Sequence, residues 1–274
     1  MDNNNEYDLE VLPIKIDEND KVPLNRPIHS TMPDIQDGSV LLIIGKRGTS
    51  KTTIFSNLIM NPNMLSMENF DYGFIISPTA NQDKTISKLV DKYKATTYTD
   101  LGGNNIDTIL KDIISFQKSF GDKKDIPRSF IFLDDCLGKI KRNSISNYLT
   151  SRSRHLLQGG MLCITTQNMK SIPTCCRTNA TQVIIGRTTN QKEFQSIYDE
   201  FGSVFGTFDE FKRATSYTWK DKYNFMYINF THQDGKKVFK NFTEDITDKF
   251  FPQVNNYTNE DFEEVDLNND IEEK

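Results

Sequence analysis

The apolar run Val40-Leu41-Leu42-Ile43-Ile44 stops at Gly45-Lys46-Arg47-Gly48-Thr49-Ser50-Lys51-Thr52, and helical spacing begins at Lys51. A strand that passes through a glycine-bearing loop straight into a helix restricts the chain to α/β folds with loops gathered at the carboxyl ends of parallel strands. The eight residues follow the phosphate-loop pattern G-x-x-x-x-G-K-[ST], with Ser50 in place of the second glycine. The spacing has a chemical reason. A loop wound into a nest aims successive backbone N–H groups at a β-phosphate, and the helix N-terminus adds partial positive charge. Lys51 then reaches the β- and γ-phosphates, and the Thr52 hydroxyl serves Mg²⁺. Ser50 brings a Cβ to a place where the pattern has none, while Gly48 keeps some backbone freedom two residues earlier. Without a ligand the same residues read as a Gly/Ser turn beside a solvated lysine.

The texture of the chain from Ser39 onward agrees with that loop. Strands are predicted at Ser39–Ile44, Tyr72–Ser77, Ser129–Leu133, Met161–Thr165 and Gln182–Gly186. Helical spacing fills Lys51–Met60, Asp83–Lys94, Ile106–Phe120, Ser144–Leu157 and Gln191–Phe201 between and after them. Strands that are continuous apolar runs, separated by helices, predict an α/β fold with a mainly parallel central sheet flanked by helices on both faces. Beyond Phe201 the pattern changes: Tyr223–Phe230 and Lys236–Phe242 flank Asp234-Gly235, which predicts a C-terminal antiparallel hairpin at the sheet edge. The domain is expected over 34–254. Residues 1–33, holding four of the nine prolines, read as an irregular acidic arm, and 255–274 as a disordered acidic tail.

A phosphate loop that handles a metal-bound nucleotide needs a carboxylate facing it. Phe130-Ile131-Phe132-Leu133 ends in Asp134-Asp135. Asp134 falls at the strand's carboxyl tip, suited to take Mg²⁺ through water, and Asp135 is then placed to polarise an attacking water. The next strand, Met161–Thr165, runs out into Thr166-Gln167-Asn168, which would bring Gln167 to the γ-phosphate or the water. As structure alone, the two acids are a strand end turning into a loop, and Thr166-Gln167-Asn168 an Asn-containing turn. The order of the three motifs along the chain carries more weight than any one of them.

In Gly45–Thr52, Ile131–Asp135, Arg154-His155 and the following Thr166-Gln167, the chain resembles the A32-type genome-packaging ATPases. These belong to the FtsK–HerA superfamily of P-loop NTPases and occur in large DNA viruses, virophages and related elements. Ile172-Pro173 and Arg177-Thr178-Asn179 ahead of Gln182–Gly186 also match the family's pattern, and the likeness covers about residues 38–200. Arg47-Gly48 is similar to the loop of phage packaging motors, which often place an arginine there. The departures are Ser50 and Asp135, the latter standing where many relatives have glutamate. The resemblance implies ATP and Mg²⁺ as cofactors and hydrolysis coupled to translocation of double-stranded DNA. It also implies a homo-oligomeric ring and a capsid vertex or portal component as partner. The expected location is intracellular, in host cytoplasm or a viral factory, with a place in the virion also open. The phosphate contacts would fall to Lys51 and Arg47.

A ring ATPase completes each site with an arginine from a neighbouring subunit. On a helical wheel through Thr150-Ser151-Arg152-Ser153-Arg154-His155, Arg152 falls on the apolar face with Leu149 and Leu156, and Arg154 points away. Arg154 is the candidate to act in trans, and Arg152 is expected to pair with a carboxylate of its own subunit. For DNA contact, Gly138-Lys139-Ile140-Lys141-Arg142-Asn143 directly follows the acid pair. Lys139, Lys141 and Arg142 bring charge without an aromatic, which favours duplex phosphate contact over base stacking. A solvated basic turn is the plain alternative.

Of 33 basic and 38 acidic residues, the first twenty positions hold one and seven, and the last twenty hold one and eight. The stretch 21–254 is therefore +8, between two acidic ends, a charge distribution suited to a polyanionic partner. The longest apolar run is five residues, far short of a membrane span. The amino-terminal residues lack the basic and apolar regions of a secretory signal. Cys136, Cys163, Cys175 and Cys176 have neither zinc spacing nor a disulfide framework, which fits a reducing compartment, and His29, His155 and His232 are scattered. Two other readings share the phosphate loop. One is a small-molecule P-loop kinase, against which the Asp-Asp pair and the Gln167 strand tip speak. The other is a non-hydrolysing P-loop assembly scaffold, which Ser50 keeps open.

Overall fold

The structure is a computed structural model, and it describes residues 23–93, 95–102, 105–121, 125–136, 138–140, 145–157 and 159–250. The expected tail at 255–274, most of the acidic arm, and Lys141 and Arg142 lie outside the described residues. Nine strands form one sheet: β1 (Ser39–Ile44), β2 (Tyr72–Ile76), β3 (Thr96–Tyr98), β4 (Ser129–Leu133), β5 (Met161–Thr166), β6 (Gln182–Gly186), β7 (Phe225–Asn229), β8 (Lys237–Lys240) and β9 (Glu244–Asp245). The helices are α1 (Lys51–Met60), α2 (Lys84–Tyr93), α3 (Asn105–Lys118), α4 (Ile145–Ser151), α5 (Ser153–Leu156), α6 (Thr174–Thr178), α7 (Gln191–Phe201), α8 (Phe208–Thr218) and α9 (Thr247–Phe250).

The strand order is β3-β2-β4-β5-β1-β6-β7-β8-β9. The first six strands are parallel, and β6 through β9 pair antiparallel. This is an α/β fold with a mainly parallel central sheet, as the alternation of strands and helices predicts, extended at one edge by antiparallel strands. The consequence for function lies in the middle of the order. β5 sits between β1, which carries the glycine loop, and β4, which carries the acids. Ile44 of β1 is level with Thr166 of β5, and Leu133 of β4 with Ile164, so all three carboxyl ends open at the same edge.

Alternation along each strand divides the core into two layers. Leu42, Ile44, Ile131, Leu133, Leu162, Ile164, Val183 and Ile185 face α3, α4, α7 and α8. Leu41, Ile43, Phe130, Phe132, Met161, Cys163 and Ile184 face α1 and α2. In the second layer Phe55 of α1 stacks on Phe132 with centroids 3.9 Å apart and planes 7° from parallel, and meets Phe130 edge-on at 5.6 Å. Because Phe55 lies four residues after Lys51 and Phe132 two residues before Asp134, this stack sets the helix start against the tip of the acid strand.

The hairpin predicted around Asp234-Gly235 forms as β7–β8, with Asn229 level with Lys237 and Gly235 at φ +89°. Its connection is seven residues long rather than a two-residue turn. The helix expected over Ser144–Leu157 is interrupted, because Arg152 leaves helical geometry at φ −123°, ψ 24° and separates α4 from α5. Wheel positions therefore do not carry across that residue. Arg152 is exposed, with its guanidinium 4.8 Å from the centre of the Tyr148 ring, rather than on the apolar face, and it pairs with no carboxylate among the described residues.

Candidate functional site

The loop between β1 and α1 is shaped by its own hydrogen bonds. Gly45 N donates to Thr166 O at 3.0 Å, tying the loop to β5, and Thr49 donates from both its N and its Oγ1 to Lys46 O, at 3.3 and 2.8 Å. A Cβ on Gly45 would fall 2.4 Å from Thr49 Oγ1, so a side chain there would displace Thr49 from its hydrogen bond to Lys46 O. Gly48 and Ser50 both take left-handed backbone conformations, at φ +83° and +61°. Ser50 thus holds the conformation that a glycine adopts freely, and the nest persists with a Cβ at that position.

Ser50 caps α1 without a side-chain hydrogen bond, and the first turn of the ten-residue helix holds no acidic residue. The amino end of α1 therefore keeps its free N–H groups and partial positive charge facing the cleft. Lys51 is folded back, with Nζ donating to Gly45 O at 2.9 Å and to Lys46 O at 3.3 Å. Burial lowers its pKa, opposed by Asp134 and Asp135.

Asp134 is 4% exposed and is the hub of the opposite wall. Its Oδ1 accepts from Thr165 Oγ1 at 2.7 Å, and its Oδ2 accepts from Thr52 Oγ1 at 3.3 Å. Burial raises its pKa, and the neighbouring Asp135 adds to the rise, while Thr165, Lys51 and Thr52 pull it down. Asp135 turns out of β4 at φ +52°, donates its N–H to Thr165 Oγ1 at 3.2 Å, and accepts at Oδ1 from Gln167 Nε2 at 3.1 Å. Thr165 thus holds both acids, Asp134 through its carboxylate and Asp135 through its backbone. Gln167 rests on the second acid. Thr52 and Asp134 offer a hydroxyl and a carboxylate side by side, a hard-oxygen pair suited to a Mg²⁺ ion that keeps its waters and takes further ligands from phosphate.

Arg47, Gly48, Ser50, Lys51, Thr52, Asp134, Asp135 and Gln167 line one cleft of about 670 Å³. Residues of three separate motifs thus meet in one crevice at the carboxyl edge of the sheet. The cleft also contains Thr53, Thr79, Asp83, Thr85 and Tyr223, none of which the motif order points to. Asp83 is engaged as the cap of α2, accepting from Thr85 N at 2.7 Å and Ile86 N at 3.2 Å. A cap signal in the sequence, Asp83 before an amphipathic run, was available for it. No sequence signal marks Tyr223.

Two predicted groups lie elsewhere. Arg154 is exposed on α5, which packs at the start of β1, where a Cβ on Gly38 would meet Ser153 O at 2.4 Å. Six strand residues, roughly 20 Å, separate that end from the loop, beyond the reach of an arginine side chain. Lys139 follows the acid pair on a turn where its N donates to Cys136 O at 3.0 Å, and it is exposed. It does not line the cleft. Arg177, from the run before β6, ion-pairs with Glu200 of α7.

The model of the poxvirus A32 protein matches residues 35–201, which is more than half of the chain. The chain belongs to the poxvirus A32 family. The match ends with α7, so the antiparallel extension of this A32-family chain lies outside it. Protein 075L of Invertebrate iridescent virus 6 is 27% identical over 207 residues, covering 72% of this chain and 73% of the relative. Among solved structures, B204, the DNA-packaging ATPase from Sulfolobus turreted icosahedral virus, superposes with a TM-score of 0.52 at 15% identity, over 75% of this chain and 98% of that one. The genome-packaging NTPase B204 from Sulfolobus turreted icosahedral virus 2 in complex with AMPPCP gives 0.51 at 16% identity, over 74% and 97%. At this identity the likeness establishes a shared fold. No helix among the described residues is long and apolar enough to cross a membrane.

Proposed function

We propose that this chain is an ATP-hydrolysing motor that assembles as a ring around double-stranded DNA and drives it into a preformed viral capsid through a vertex or portal component. The observation that carries the reading is the meeting of Lys51, the Asp134–Asp135 pair and Gln167 in one cleft. Membership of the A32 family supports the packaging role.

In this reading the nest and the amino end of α1 hold the β-phosphate, and Lys51 leaves the carbonyls of Gly45 and Lys46 to bridge the β- and γ-phosphates. Thr52 and Asp134 would hold Mg²⁺, which would supply charge neutralisation for the phosphoryl transfer. Asp135 orients the attacking water and accepts its proton. Gln167 now donates to Asp135, and exchange of that bond for the γ-phosphate would couple nucleotide state to the acid that positions water. Arg47, exposed on the loop, contacts the γ-phosphate in the same subunit, and Arg154 of a neighbour completes the site. Lys139, with Lys141 and Arg142, takes the duplex backbone, where the loop begins three residues after Asp135.

Measurement of ATP turnover with and without long duplex DNA tests the reading. A motor's turnover rises with duplex. Phosphorylation of a small acceptor would instead support a kinase, and nucleotide binding without turnover, even with DNA at ring-forming concentration, a scaffold.

A further inference from the structure

Tyr223 stands apart from the other large side chains. It lies two residues before β7 and is 55% exposed, the highest exposure of any large hydrophobic residue among those described. Its backbone is left-handed at φ +74°, a conformation rare and costly for a bulky residue. No other aromatic ring packs on it among the described residues; Lys222 Nζ lies 4.7 Å from its ring centre.

The turn is held in place from behind. Asn224 Nδ2 donates to Asp221 Oδ2 at 3.2 Å, and Asn224 Oδ1 accepts from Asn241 Nδ2 at 3.3 Å. Asn241 in turn accepts from Phe225 N at 3.2 Å and donates its own N to Phe225 O at 2.9 Å. An exposed ring on a left-handed backbone, in a turn whose flanking residues are tied by a polar network, is an arrangement that packing does not explain. Tyr223 lines the cleft that holds the phosphate loop and Thr53. Phe225 is level with Gly186, and β6 lies between β7 and β1, which sets Tyr223 about two strand spacings, roughly 10 Å, to the side of the loop. A nucleoside triphosphate with its β-phosphate in the nest must extend its base sideways from there.

We propose that Tyr223 is the stacking platform for the base of the bound nucleotide. This rests on the cleft being a nucleoside triphosphate site. Lys222 takes one face of the ring and the base takes the other. A ring face reads base area and not a hydrogen-bond pattern, so it adds affinity for the nucleoside and none for its phosphates.

Calorimetric titration with MgATP and with magnesium tripolyphosphate, which has no base, separates the two contributions. Tyr223→Ala should weaken MgATP about tenfold or more and leave tripolyphosphate within twofold, while Tyr223→Phe stays near wild type for both. Tyr223→Gly relieves the left-handed strain, so its melting temperature should hold or rise while it shows the same selective loss. ATP affinity within twofold of wild type in the Ala and Gly variants overturns the proposal. Equal loss of both ligands with a lowered melting temperature also overturns it, since it assigns Tyr223 a structural role. Wild-type protein that binds tripolyphosphate and ATP equally well removes the platform but keeps the phosphate site. Failure to bind either ligand removes the nucleotide reading, and the platform with it.

Discussion

Ser50 and Asp134 each hold a state that is unfavourable without a ligand. At Ser50 the strain is in the backbone. A left-handed residue with a Cβ costs about 1–2 kcal/mol, and glycine's extra freedom in the unfolded chain takes back about 0.4–1 of that. Ser50→Gly is therefore expected to stabilise the protein by about 0.5 kcal/mol, a rise of one or two degrees in melting temperature, with ATP affinity kept or improved. Lost affinity would mean that the Ser50 hydroxyl, and not the backbone, meets the ligand. At Asp134 the cost is electrostatic, and its sign can be worked out. Burial raises the carboxyl pKa, so the metal-free folded protein keeps a proton that the unfolded chain has already released. Stability then falls as pH rises from the usual carboxylate value through the raised one, and is level above it. Asp134→Asn has no such proton to release. Its advantage in melting temperature over wild type should grow through that window and then plateau, while ATP turnover drops by about 10²–10³. An advantage that shrinks with rising pH would contradict the assignment.

Between elements, what could be read from the sequence follows the range of the forces. The five strands that are continuous apolar runs, and the helices between them, were legible because each buries a face that its own residues define. The loop, Asp134, Asp135 and Gln167 were legible because their spacing from a strand tip is fixed within a few residues. Strand order was not. That β5 lies between β1 and β4 depends on contacts such as Phe55 on Phe132, which join positions 77 residues apart. β3 is three residues long and pairs only with the upper part of β2, too short for alternation to register. α8 has a local signal in the Thr207–Glu210 capping box. The break at Arg152 had none: Thr150-Ser151-Arg152-Ser153 contains neither proline nor glycine. Tyr223 was illegible for a different reason. It enters the cleft only because β7 returns antiparallel beside β6, a tertiary fact with no trace in a local pattern.

For the molecule as a whole, the placement of α5 decides how the site can be completed. Arg154 is exposed at the start of β1, and the loop it would serve is at the other end of that strand. If it contributes to catalysis, it must do so in a neighbouring subunit, whose cleft faces it across a head-to-tail interface. Such an interface closes into a ring when its rotation allows. Lys51→Ala and Arg154→Ala then damage different halves of one composite site. Each variant alone should lose basal turnover, Lys51→Ala from its own cleft and Arg154→Ala from its neighbour's. In an equal mixture, a site is whole when an Arg154→Ala subunit offers its intact Lys51 to the intact Arg154 of a Lys51→Ala neighbour. Random assembly makes about a quarter of the interfaces whole, and turnover without DNA should recover to about that fraction of wild type. An arginine acting within its own subunit gives no recovery on mixing, because no subunit in the mixture carries both intact residues. Full activity of Arg154→Ala alone would move the trans role to another residue.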